Sequence, residues 1–147
     1  MKKLLTVLYS IMLGLNSFGF SAKNVNEKVL QIFRESFPRA EHVVWSENHE
    51  TYTVSFVEEG IRSSIIYDKN GEFLEATRYY EELELPLYLL YRIKERYPDK
   101  KIFGITEIST PDEVMYYVKM VDSKIWLTLR IDSVGRMTLV EKYRKAA

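Results

Sequence analysis

The sequence of 147 residues contains no cysteine, only two histidines, six glycines and four prolines, and its basic and acidic side chains balance. Without cysteine neither a disulfide nor a thiol-linked lipid can form, so burial of apolar surface alone must hold the fold. The histidines, His42 and His49, have no helical or Cys-x-x-Cys partner of the kind that builds a zinc site. No Gly-x-Ser-x-Gly elbow accompanies them, so a nucleophilic triad has no recognisable frame. The even charge gives no pull toward nucleic acid or an anionic membrane. These absences predict a protein that is not an enzyme and that uses no metal or other cofactor.

What is present begins with Met1, Lys2 and Lys3, then about a dozen mostly apolar positions from Leu4 to Leu15, and small residues near Ser21 and Ala22. This layout predicts a secretory signal peptide over residues 1–22 and a periplasmic or secreted protein. Asn16 and Ser17 interrupt the apolar run short of the ~20 residues that span a bilayer, so no membrane insertion is expected after cleavage. Cleavage after Ser21 places Gly19 and Ser21 at the small-residue positions, whereas cleavage after Ala22 places bulky Phe20 at one of them; both sites stay open. Loss of residues 1–22 removes Lys2 and Lys3, leaving 19 basic against 21 acidic side chains and a formal charge of −2. A domain of the remaining length hides roughly two thirds of its unfolded surface. Eleven Tyr, seven Phe and two Trp supply much of the area to be buried.

The mature stretch repeats itself. With a shift of 64, residues 52–79 match 116–143 at Tyr52/Tyr116, Val54/Val118, Val57/Val121, Ile61/Ile125, Asp68/Asp132, Gly71/Gly135 and Tyr79/Tyr143. Upstream, a shift of 60 superposes Val29-Leu30, Phe33 and Phe37-Pro38 on Leu89-Leu90, Ile93 and Tyr97-Pro98, so the second copy carries about four extra residues between its helix and its sheet. The period exceeds that of solenoid repeats and indicates a duplicated small domain, with units at 23–82 and 83–147. The shared positions read as core and turn residues.

Each unit reads as a helix followed by strands. Val29, Phe33 and Phe37 recur every four residues, with Leu30 and Ile32 widening the stripe and Lys28, Gln31, Arg34 and Glu35 on the other side. Asn24 and Glu27 fit a capping box, and Pro38 forbids continuation. In the second unit Pro86 suits the first helical turn and Pro98 stops the helix. The period then falls to two: Tyr52, Val54 and Phe56 alternate with Thr51, Thr53 and Ser55, and Tyr116, Val118 and Met120 with Met115, Tyr117 and Lys119. Further strands are expected at 61–67, 73–80, 125–131 and 137–143, with weaker ones at 42–47 and 102–108. The expected class is α+β: two tandem units, each an N-terminal helix on one face of an antiparallel sheet of about four strands. A helix covers one face only, which leaves the other open to solvent or a partner.

Asp68-Lys69-Asn70-Gly71 has the opening of a calcium loop but not its closing Glu, and Asp132-Ser133-Val134-Gly135 puts Val where a ligand belongs. Both segments fit hairpin turns, with Asp bonding its own backbone and Gly taking positive φ. Strand parity then sorts the aromatic residues. Tyr52, Phe56, Tyr67, Tyr116, Phe33, Phe37 and Tyr97 share the buried parity, while Trp45 satisfies either. Trp126 lies between Ile125 and Leu127 and aligns with Arg62, which puts it on the open face. Tyr117 has the same outward parity, and Arg130, Arg78, Tyr80 and Lys142 are candidates for that surface. Exposed Trp, Tyr and Arg together are the composition of binding hot spots. The competing explanation is a dimer contact or a shielding cluster between the two sheets.

The amphipathic helix ending in Phe-Pro or Tyr-Pro, the strand Val43-Val44-Trp45, the strand from Tyr52 to Phe56 and the Asp68–Gly71 hairpin, in tandem behind a signal peptide, resemble the exported bacterial β-lactamase-inhibitor-like, PepSY-like domains. The resemblance implies helices on one side of an antiparallel sheet and, by analogy with the inhibitor, contact with a partner through the concave open side containing Tyr117, Trp126 and Arg130. The chain departs from the inhibitor in having no cysteines for its disulfides and no match to its target-inserting hairpin. The reading is a non-enzymatic cell-envelope module that binds an envelope protein or peptide. The alternative is a self-associating structural protein, such as a homodimer, or a carrier of a small apolar ligand.

Overall fold

A computed structural model describes residues 22–146, so the expected signal peptide, all but its last residue, lies outside the described residues. The order is helix α1 (Glu27–Ser36), strands β1 (Glu41–Glu47), β2 (Thr51–Glu58), β3 (Ile61–Asp68) and β4 (Phe73–Tyr80), then helix α2 (Leu87–Arg96) and strands β5 (Lys101–Ser109), β6 (Val114–Val121), β7 (Ile125–Asp132) and β8 (Met137–Arg144). One-turn 3₁₀ segments at Ala22–Asn24 and Glu82–Glu84 precede the helices.

Both helices stop for the same reason. Proline disfavours helical backbone in the residue before it, and Phe37 and Tyr97, at φ −131° and −132°, leave the helix there. Each still donates its N–H four residues back, Phe37 to Phe33 at 2.9 Å and Tyr97 to Ile93 at 2.8 Å. The starts differ from expectation. Asn26, not Asn24, caps α1, its side-chain oxygen accepting from Lys28 N at 2.9 Å. Pro86 stands at the N-cap of α2, where its carbonyl accepts from Leu89 N and Leu90 N. The spacing from helix to first strand is equal in the two halves. The extra residues of the second half lengthen β5 and the turn after it, rather than the link from its helix.

The two predicted four-stranded sheets are one sheet. All eight strands pair antiparallel in sequence order, and β4 joins β5 from Ala76 opposite Ser109 to Tyr80 opposite Ile105. Past a bulge near its start, β4 keeps one parity from Ala76 to Tyr80. Ala76 packs on the core under α1, and Tyr80, four residues on and hence on the same face, belongs to the core under α2. Both helices therefore cover one face, and no space between sheets exists for a shielding cluster to fill.

Under α1, Val29, Leu30 and Phe33 pack on Trp45, Tyr52, Val54, Phe56, Ile65 and Tyr67. Under α2, Leu89 and Ile93 pack on Ile102, Ile105, Val118, Met120, Leu127, Leu129 and Ile131. Trp45, whose parity was open, is in the core. Not every repeated position is core or turn, however: Val57 and Val121 pair with the outward residues Arg62 and Trp126, and Tyr79 and Tyr143 are exposed. The Asp hairpins have matching geometry. Asp68 Oδ1 accepts from Asn70 N and Glu72 N, Asp132 Oδ1 accepts from Val134 N and Arg136 N, and Gly71 and Gly135 take φ +91° and +81°.

Leu129 is fully buried, so Leu129→Ala is expected to lower stability by about 2–5 kcal/mol through lost contacts and a residual cavity. Urea unfolding with an unchanged m-value would show it. Backbone N–H donation from Arg136 comes first among the causes that hold the Asp132 carboxyl below its ordinary pKa. A depressed native pKa contributes stability above the unfolded value that is lost as pH falls through the native one. The stability gap between the native chain and Asp132→Asn should thus be widest near neutrality and close in acid below about pH 4, which urea midpoints across that range will test.

Candidate functional site

The uncovered face is built from the alternate residues of the same strands. One continuous row of cross-strand neighbours runs Val57, Arg62, Tyr79, Thr106, Tyr117, Arg130, Thr138. Such neighbours on one face stand about 5 Å apart, so the row is a contiguous surface. Beside it a groove of about 700 Å³ crosses the sheet from the β2–β3 turn to β8, lined among others by Arg62, Tyr79, Phe103, Tyr117, Lys119 and Thr128. Glu59, Glu81 and Glu84 line the part of it near the β2–β3 turn and the end of β4, and Glu141, bonded by Thr128 Oγ1 at 3.2 Å, lines it at β8.

Trp126, Tyr117 and Arg130 all lie on this face. Trp126 pairs with Val121 and Tyr143, and its half-buried ring meets Phe103 edge to face at 4.9 Å. Lys119 Nζ and Lys145 Nζ stand 5.3 and 5.4 Å from its ring centroid, within cation–π range. Arg62 sits similarly over Tyr79, at 5.7 Å. Phe103 arrives by a route that strict alternation does not predict. A bulge between Ile102 and Gly104 adds one residue to β5, so Ile102 and Ile105 are both buried while Phe103 turns outward and is 63% exposed.

Arg78 and Tyr80, assigned to the open face with Trp126, lie on the helix-covered face instead. Of the adjacent aromatics on β4, Tyr79 is the outward one and Tyr80 is buried. The Tyr80 hydroxyl donates to Glu107 Oε2 at 2.5 Å, Arg78 Nη1 pairs with Glu107 Oε1 at 3.5 Å, and Ser109 Oγ donates to that same oxygen at 3.3 Å. Burial, reinforced by the Glu107 carboxylate, pushes the Tyr80 phenol well above its ordinary pKa. Lys142 pairs with Leu127, which is buried under α2, and so belongs to the helix side of the β8 edge. Tyr79, Phe103 and Lys119 take their place on the open surface, beside Arg62, which its alignment with Trp126 already puts there. His42 lies on the edge strand β1 and His49 in the β1–β2 turn, both exposed.

Among the described residues no group of three or more His, Cys, Asp or Glu side chains gathers as a metal site, and no helix is long and apolar enough to cross a membrane. Two helices on one side of an eight-stranded antiparallel meander, with the other side bare, is the BLIP-like α+β fold. A BLIP-like protein from Bacteroides fragilis superposes with a TM-score of 0.60 at 15% identity, over 82% of this chain and 86% of its own. A Bacteroides eggerthii protein described as periplasmic gives 0.59 at 14%, covering 82% and 88%. A DUF2874 family protein from Bacteroides ovatus gives 0.59 at 16%, covering 82% and 87%. No protein-family model and no curated protein matches the sequence.

The two tryptophans should be separable by quenching. Trp126→Phe is expected to leave only the buried Trp45, with blue-shifted emission resistant to acrylamide, and Trp45→Phe to leave the more accessible Trp126. Equal quenching in the two variants would refute this placement.

Proposed function

We propose that the chain is an exported, non-enzymatic binding module of the cell envelope that engages a protein or peptide through the open sheet face, with Trp126, Tyr117 and Arg130 at the centre of the contact. The observation that carries the reading is the outward cluster of Trp126, Phe103, Tyr117, Lys119 and Arg130 on one rigid sheet. Its side chains are held by a core on the far side and are not needed for that core. Trp, Tyr and Arg dominate the energetics of protein interfaces because they bury large area and keep a polar handle. The fold shared with a BLIP-like protein supports use of the same face, and the periplasmic description of another neighbour, with the signal-like N-terminus, supports the envelope as its location. Arg78 and Tyr80 face the helices and have no part in the contact.

We also read the chain as a duplication, with units at 23–82 and 83–147. The matched helix ends at Phe37 and Tyr97 and the matched hairpins at Asp68 and Asp132 support it.

Capture experiments with the mature chain on native envelope extract test the binding reading. Trp126→Ala and Tyr117→Ala should each weaken capture of the specific partner by about tenfold or more, as hot-spot truncations do. The melting temperature should move little, because neither ring belongs to the core. Undiminished capture by both variants would sink the proposal.

A further inference from the structure

Cations are distributed unequally between the two faces. Every ion pair found among the described residues lies on a helix, at a turn or on the helix-covered side: Arg34–Glu27, Arg39–Glu59, Lys69–Glu47, Arg78–Glu107, Lys94–Glu82, Lys100–Asp122 and Arg136–Asp132. On the open side of β5–β8 stand Lys101, Lys119, Arg130 and Lys145, and none of them meets a carboxylate within the described residues. Two of them are instead held against the Trp126 ring. A lysine ammonium has three donors, and a ring face satisfies none of them fully, so these groups remain available to an acceptor. The mature chain carries a formal charge of −2, so this local excess is not a reflection of composition.

Resting on the reading of the open face as a binding surface, we infer that its partner presents an acidic peptide segment, in which carboxylates flank an apolar side chain. The carboxylates meet Lys119 and Lys145, and the apolar side chain covers Trp126 and Phe103. Oppositely charged surfaces steer association and reject partners of the same sign. The acids on the same face select a peptide over a uniformly anionic glycan. Glu141 lies next to Lys119 across Thr128, and Glu59, Glu81 and Glu84 line the other part of the groove. A chain charged at every unit would meet those carboxylates, whereas a peptide can place its charges over the lysines alone.

The test measures fluorescence anisotropy of a labelled short peptide containing Glu-Phe-Glu, its Gln-Phe-Gln counterpart, and labelled heparin, each with the mature protein. The Glu peptide should bind, weaken with added salt, and lose about fivefold or more in affinity with the Lys119→Gln/Lys145→Gln double variant, a loss on the scale of two exposed ion pairs. The melting temperature of that variant should fall by no more than a few degrees, since both lysines are exposed and only their contacts with the Trp126 ring are lost. Equal affinity for the Gln peptide, tighter binding of heparin, or no loss in the double variant overturns the inference. The capture assay separates the two levels of failure. If Trp126→Ala loses the envelope partner while the lysine variant keeps it, the face binds but not through acids. If Trp126→Ala also keeps it, the binding reading itself has failed.

Discussion

The pairing of β4 with β5 is the contact on which the rest of the structure depends. Each helix-containing half supplies four strands, and a free four-stranded sheet would leave two edges and choose its own orientation. Laying Ala76–Tyr80 against Ile105–Ser109 removes one edge from each half and fixes a common parity across all eight strands. Once parity is common, an apolar residue of either half that faces its helix faces the same side of the whole sheet. A side-chain tie crosses this seam, because Tyr80 and Arg78 of β4 both engage Glu107 of β5. The phenol is buried beside a carboxylate, which holds it protonated and keeps it a donor.

That common parity divides the chemistry of the molecule. The helix-covered side takes the apolar side chains, and none of its buried side-chain nitrogens or oxygens among the described residues lacks a partner. The other side takes what the core does not need, and its two halves differ. Strands β2–β4 present Arg62 and Tyr79 among small polar residues such as Thr53, Ser55, Ser64 and Thr77, whereas β5–β7 present Phe103, Tyr117, Lys119, Trp126 and Arg130. Mostly small and polar on one half and aromatic and basic on the other, the face carries most of its large outward side chains at one end.

Alternation made much of this readable in the amino-acid order. Trp126 is flanked by Ile125 and Leu127, so its outward direction follows from two neighbours that cannot both be exposed cheaply, and Tyr117 and Arg130 follow from the same logic. Three things were not readable. In β4 the pair Tyr79-Tyr80 satisfies either parity, and only the pairing with both neighbours, which sets Tyr79 against Arg62 of β3 and Thr106 of β5, decides that Tyr80 goes inward. In β5 the bulge at Phe103 breaks the two-residue period and hides the ring that packs on Trp126. The fusion of two sheets into one is a long-range hydrogen-bonding choice between strands separated by a helix, and no local pattern encodes it.

The two halves place their aromatic rings differently. The core under α1 is a cluster of rings, with Phe33 at 5.4 Å from Trp45 and 5.1 Å from Phe56, and Trp45 stacked at 6.4 Å on Tyr67. The core under α2 is mainly aliphatic, built on Leu89, Ile93, Met120, Leu127, Leu129 and Ile131, with Tyr80 and Tyr116 at its polar margin. Its half nonetheless carries Phe103, Tyr117, Trp126 and Tyr143, all on the open side. The first half thus spends most of its large rings on its core, Tyr79 excepted, and the second builds its core mainly from aliphatic side chains and displays more of its rings. A ring in the core cannot contact a partner, and a ring on the surface adds little to folding. The second half is therefore the one whose surface is free to change without unfolding the sheet.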